Sequence, residues 1–187
     1  LRQAYEKAGN SFRAAETYEM QNELYPSPDS YNSIGVLYYN AGVKDKALEY
    51  YEKAYENNPN NSHVNFNLGH TLIDSDPERA RQLIRRSYEI NPNDGAAMIM
   101  LARVELSLGN KERSQQLNNK AYDMLMKKWK TETLASHEYS WLASLADTLG
   151  HNDIAIQVRQ SQPSSEQAKY YNVENLTRTR SKELEKI

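Results

Sequence analysis

The sequence predicts an all-α protein built from antiparallel helix pairs repeated along the chain, and three observations predict it. Turn-forming residues recur at Gly9, Gly42, Asp76, Gly109 and Gly150, spaced 33, 34, 33 and 41 apart. Around them, small and bulky residues recur at helical spacing: Tyr31, Ile34, Gly35 and Tyr38 before one turn, Ala47, Tyr51 and Ala54 after it. Pro26, Pro59 and Pro92 then close successive units. A lone helical hairpin leaves one apolar face wet, so stacking of repeated hairpins is the expected solution.

The clearest unit is 27–60. Ser27 and Pro28 read as an N-cap followed by proline at the first helical position. Gly35, Ala47 and Ala54 are small where two backbones must approach, and Tyr31, Tyr38 and Tyr51 are large where gaps need filling. Gly42 stands where the first helix must stop, in the left-handed conformation that glycine adopts without penalty. Residues 1–26 read as a partial repeat, with Gly9, Ala14, Tyr18 and Pro26 in the places of Gly42, Ala47, Tyr51 and Pro59. Because Leu1 falls inside a helical pattern and no initiator Met precedes it, the chain reads as an excerpt or processed form.

Unit 61–93 keeps Leu68-Gly69, Ala80, Ile84, Ser87 and Pro92, but turns at Asp76-Pro77, an N-cap and first-turn proline. Unit 94–130 keeps Met98, Leu101-Ala102, Gly109, Ser114 and Ala121. It departs at Glu105 and Asn118, where large apolar residues are wanted, so its second helix is expected to pack less conventionally. The last turn interval is 41 rather than about 34, an excess of about two helical turns. That excess predicts a second helix reaching about Lys130, with Thr131-Glu132-Thr133 turning the chain. Unit 131–162 carries Tyr139, Leu142-Ala143, Gly150 and Ala155. Residues 163–187 open on Pro163 and a Ser164…Gln167 capping-box pattern, and Val173, Leu176, Leu184 and Ile187 fit one face of a closing helix or tail.

The 27–60 unit resembles a tetratricopeptide repeat (TPR), whose pattern over about 34 residues is a bulky residue, Leu-Gly, Tyr, Ala, an aromatic, Ala and Pro. Tyr31, Ile34-Gly35, Tyr38, Ala47, Tyr51, Ala54 and Pro59 fill those positions here. The resemblance implies a right-handed TPR superhelical solenoid in which the first helix of each unit lines an inner groove. Carried over, the groove positions are Asp29, Asn32, Val36, Tyr39 and Asn40, then His63, Phe66, Asn67, His70 and Ile73, then Ala96, Ile99, Met100, Arg103 and Leu106. Asn32 and Asn67 offer donors and acceptors suited to the amides of an extended peptide. Tyr39, Phe66 and Ile99 supply apolar pockets, and Arg103 is suited to a carboxylate. The family's carboxylate clamp for chaperone tails needs Lys, Asn, Asn, Lys and Arg. Its positions hold Asn32, Val36, Asn67, Ala96 and Met100 here, a single match.

Composition excludes several function classes. A net charge of -2 argues against a general nucleic-acid binder, which carries a basic stripe. With no cysteine, disulfides, thiolate metal sites and a Cys nucleophile are excluded. No apolar run approaches the roughly 20 residues of a membrane span. Fourteen tyrosines against two phenylalanines suggest rings that pack while their hydroxyls stay near water. No phosphate-binding loop, nucleophile elbow or dinucleotide fingerprint is present. His137-Glu138 begins like a zinc-protease pattern, but Trp141 stands where its second histidine belongs. His63 and His70 lie seven apart on one helix without third and fourth ligands, so no metal and no cofactor is expected.

The expected function is therefore non-catalytic: a protein–protein interaction scaffold that holds a partner segment in the groove, within a larger protein. The alternative is a structural spacer, or a module that self-associates through the open first repeat around Tyr5, Phe12 and Tyr18. An enzymatic role would need a catalytic part outside these residues. The Asn-rich, Cys-free composition suits a soluble bacterial protein of cytoplasm or periplasm, and envelope assembly or secretion is a common setting for such arrays. Lys127-Lys128-Trp129-Lys130 has two readings: a protruding patch for an acidic partner, or a packed Trp129 among solvated lysines near a helix end. The second is preferred.

Overall fold

In the computed structural model, the described residues are 3, 5, 8–25 and 30–163. The Ser27-Pro28 cap and the closing segment from Ser164 onward lie outside them. The helices are α1 (Ser11–Leu24), α2 (Ser30–Asn40), α3 (Lys44–Asn57), α4 (Ser62–Leu72), α5 (Pro77–Ile90), α6 (Gly95–Ser107), α7 (Lys111–Thr131), α8 (Ser136–Thr148) and α9 (Asn152–Ser161). Among the described residues there is no strand, and the fold is all-α, a helical-repeat solenoid of paired helices. No described helix is long and apolar enough to cross a membrane. The chain divides into two compact units, one holding α1–α6 and the other α7–α9. In the first, each helix packs on the next from α1 to α6; in the second, α7 packs on α8 and α8 on α9.

Local chemistry explains where these helices start and stop. Asp76 accepts from the backbone N–H of Arg79 at 3.0 Å with Pro77 in the first turn, as its sequence position predicts. Asn10, Asn61 and Asp94 cap α1, α4 and α6 in the same way, each cap stabilising its helix by about 1 kcal/mol. Gly42 ends α2 at φ 78°, a left-handed conformation closed to most side chains. Asn65, 1% exposed, donates its amide to the carbonyls of Pro59 (2.7 Å) and Asn61 (2.8 Å), tying the turn between α3 and α4 to the hairpin core.

Within a hairpin the helices touch where the pattern calls for a small residue. A Cβ on Gly35 would stand 2.6 Å from the Tyr51 ring, and one on Gly69 would stand 2.7 Å from Ile84 Cγ1. Any larger residue at either place pushes α2 from α3, or α4 from α5. Ile34, Tyr38, Leu68, Ile84, Met98 and Leu101 fill the core around these contacts. In the second unit Leu142, Ala143, Leu145, Ala146, Ala155 and Val158 join α8 to α9, while Leu117, Ala121, Leu125 and Trp129 form one buried stripe along α7.

Among the described residues the buried polar side chains are Ser30, Asn65, Ser87, Ser114 and one charged residue, Glu105. It is 3% exposed near the end of α6, and its Oε2 accepts from Asn110 Nδ2 at 2.8 Å while Arg85 of α5 stands 3.6 Å from Oε1. The carboxylate thus fastens the last turn of α6 to the following turn and faces a cation on the preceding helix. Asn118, the other departure from the pattern, sits half-buried on α7. A buried charge satisfied in this way adds little over an apolar residue of similar volume. Glu105→Leu is accordingly expected to leave urea-measured stability within about 1 kcal/mol of wild type or to raise it. A loss above about 3 kcal/mol would show that the Asn110–Glu105–Arg85 contacts hold α6 in place.

Candidate functional site

The register of the hairpins decides which side chains share a face. Gly35, Gly69 and Ala102 are the small residues at equivalent positions of α2, α4 and α6. Gly35 and Gly69 point at the second helix of their hairpins, so the next residue is turned about 100° away from that contact. Val36, His70 and Arg103 therefore form one row across three successive first helices. Val36 and His70 are half-buried, and Arg103 is exposed.

Beside this row the structure joins two of the expected residues directly. Asn67 Nδ2 donates to Asn32 Oδ1 at 3.0 Å, linking α4 to α2, while Thr71 Oγ1 donates back to the Asn67 carbonyl at 2.8 Å. One bond uses a fraction of what two side-chain amides offer. Two side-chain N–H groups of Asn32, one of Asn67 and the Asn67 Oδ1 retain capacity for an incoming main chain.

His70 stands between two aromatic rings, with centroids 5.5 Å from Tyr39 of α2 and 6.0 Å from Phe66 of α4. Burial holds its pKa below the usual histidine value, the positive charge of Arg103 adds to that, and Lys44 adds further; Asp74 opposes them. His70 is therefore neutral at pH 7, one face of an uncharged ring cluster beside an exposed cation. Asn32 and Asn67 meet through their hydrogen bond, Tyr39, Phe66 and His70 through ring contacts, and Arg103 acts on His70 through its charge. Asn40, His63 and Leu106 are exposed and Val36 and Ile99 half-buried; none has a side-chain hydrogen bond or ring contact to this cluster among the described residues. Ile73, grouped with the groove by position, is 5% exposed and belongs to the core. Asp29 lies outside the described residues.

Two features escaped the sequence reading. Glu19 of α1 accepts from the hydroxyls of Tyr38 and Tyr50 and from Lys46 Nζ; the pattern gives Tyr38 a gap-filling role only and Tyr50 none. The signal was available in part, since a buried phenol requires a hydrogen-bond partner. In the second unit Tyr122 stacks on His151 with centroids 5.0 Å apart. His137 meets Trp141 edge-on at 4.6 Å, so the residue in the place of a second zinc-binding histidine packs on the first. Lys128 is ion-paired with Glu138 (2.7 and 2.9 Å), Trp129 is 1% exposed, and Lys127 and Lys130 face solvent.

Residues 28–61 match a family model described as tetratricopeptide repeat. No curated protein matches the sequence. Among solved structures, a crystal structure of MamA is similar with a TM-score of 0.62 at 16% identity, over 84% of this chain and 90% of that one. A MamA RS-1 ArsTM double mutant gives 0.64 at 15% identity, over 85% and 86%. A tetratricopeptide repeat protein from Parabacteroides merdae gives 0.65 at 21% identity, over 84% of this chain and 60% of that one. At these identities the likeness is one of fold.

Proposed function

We propose that this chain, which carries a tetratricopeptide repeat and folds as TPR arrays do, is a non-catalytic interaction module whose first compact unit holds an extended partner segment against α2, α4 and α6. The observation that supports it is the Asn67–Asn32 bond beside the Tyr39–His70–Phe66 rings. Two amides fixed by each other present unused donors and acceptors at a set spacing, which an extended backbone can read without regard to its side chains. The rings next to them give one apolar side chain somewhere to settle. Recognition sites commonly combine a few placed polar groups with an aromatic surface in this way.

The test is a peptide-display selection against purified 1–187 beside the Asn67→Ala/Arg103→Glu double variant. One motif enriched on the wild type alone, with affinity lowered roughly tenfold or more in the variant, is the expected result. Equal affinity on both would place binding elsewhere. Enrichment on neither would favour the structural alternative, a spacer or self-associating module. That alternative has its own observation: Met20, Leu24 and Tyr25 at the end of α1 are 57%, 76% and 78% exposed. Phe12, at the start of α1, is exposed as well, whereas Tyr5 and Tyr18 are half-buried.

A further inference from the structure

We infer that the segment bound by this face is acidic, with one side-chain carboxylate seated at the His70–Arg103 row and an apolar neighbour on the Tyr39 and Phe66 rings. The inference rests on the binding reading above and narrows its partner by charge complementarity. Among Asn32, Tyr39, Phe66, Asn67, His70 and Arg103, the one full charge at neutral pH is the Arg103 guanidinium. It is exposed and has no ion pair or hydrogen bond among the described residues.

The surroundings of His70 report the same sign. Tyr39 comes from α2, Lys44 from the start of α3, Arg103 from α6, and Asp74 follows α4 itself. Two cations and one anion act on the imidazole, so a basic segment laid there would be repelled. A carboxylate would complete the set. Arginine suits this task because its planar fork can bond both carboxylate oxygens. The arrangement differs from capture of a chain-terminal carboxylate by paired lysines and asparagines, because a single arginine reads one side chain within a continuous segment.

A carboxylate at this place also couples capture to protons. In the empty face His70 is held neutral by burial and by Arg103 and Lys44. A bound anion favours the imidazolium, so the complex has the higher His70 pKa and takes up a proton as it forms. Affinity is then flat above the bound-state value and rises as pH falls through it.

The experiment uses random-peptide display on wild-type 1–187 and on Arg103→Glu, followed by titration of the enriched peptide against Arg103→Gln, Asn67→Ala and His70→Gln across pH. The wild type is expected to enrich Asp or Glu at one fixed position beside an apolar residue, and Arg103→Glu to exchange that residue for Lys or Arg. Arg103→Gln should weaken the wild-type peptide roughly tenfold. Acidification should tighten it on wild type but leave His70→Gln unchanged. A motif without a fixed acidic position, sensitive to Asn67→Ala, would overturn the acidic inference and leave the binding reading standing. No motif on either protein, or one whose affinity ignores both Asn67→Ala and Arg103→Gln, would overturn both.

Discussion

Trp129→Ala is expected to destabilise the second compact unit by about 3–5 kcal/mol, the usual cost of emptying a fully buried aromatic site. Trp129 is 1% exposed at the end of the stripe Leu117, Ala121, Leu125 and Trp129, each one helical turn from the next. The ion pair from Lys128 to Glu138 draws this end of α7 against the start of α8, so the space left by the indole has little freedom to collapse. The chain has two tryptophans, so in the variant Trp141 of α8 remains as a fluorescence reporter within the same unit. Lys127→Ala and Lys130→Ala, both at exposed positions, should change the urea midpoint of that signal by no more than about 0.5 kcal/mol equivalent. A loss below about 1 kcal/mol for Trp129→Ala would mean that the ring is not part of the core, and would revive the docking role of the Lys-Lys-Trp-Lys stretch.

That stretch also shows what a sequence can and cannot convey about such a fold. Helical period, turn spacing and the small residues Gly35 and Gly69 are local in origin, and each is found where its spacing put it. The left-handed turn at Gly42 and the cap at Asp76-Pro77 are of the same kind. Asn10, Asn61 and Asp94 perform the same capping chemistry but sit in turns already rich in polar residues, where a functional Asn resembles an idle one. Ile73 shows where positional carry-over fails. It holds the register of Tyr39, but an aliphatic side chain at the end of α4 gains more by turning into the core, whereas a tyrosine can leave its hydroxyl in water.

Side-chain pairing across hairpins was the least legible layer. Asn32 and Asn67 are 35 residues apart, one more than equivalence by Gly35 and Gly69, so their bond depends on the lateral offset of two stacked helices. Glu105 breaks the apolar pattern, and nothing local says whether such a carboxylate stays out or is buried. Its partners, Asn110 five residues on and Arg85 on the previous helix, decide that only once α5 and α6 are packed. The Tyr39–His70 contact has the same origin, since it joins α2 to α4, whereas Phe66 meets His70 four residues along its own helix.

Glu19→Ala is expected to cost about 2–4 kcal/mol and to loosen α1 before the rest of the first unit, because it leaves two buried phenols without their acceptor. Tyr50 donates to Oε1 at 2.5 Å, Tyr38 donates to Oε2, and Lys46 Nζ reaches Oε2 at 3.3 Å and the Tyr38 hydroxyl at 3.1 Å. Tyr38 and Tyr50 stack with centroids 5.9 Å apart, and Phe12 of α1 meets Tyr38 edge-on at 6.2 Å. One carboxylate thus ties α1 to both helices of the next hairpin. Burial alone would push the Glu19 carboxyl up, but hydrogen bonds from Tyr38, Tyr50 and Lys46, with the charge of Lys46, hold it below its usual value of 4.5. A depressed carboxyl contributes stability that is complete above the unfolded-state value and is lost as pH falls through the lower folded-state one. Wild type should therefore lose stability on acidification below about pH 4.5 that Glu19→Gln does not lose, since a glutamine cannot titrate. Urea midpoints at neutral and acid pH, with amide exchange along Ser11–Leu24, measure both effects. If Glu19→Ala matched wild type at neutral pH, or if its amide exchange rose uniformly across the unit rather than first in α1, the carboxylate would not be what holds α1 to the hairpin formed by α2 and α3.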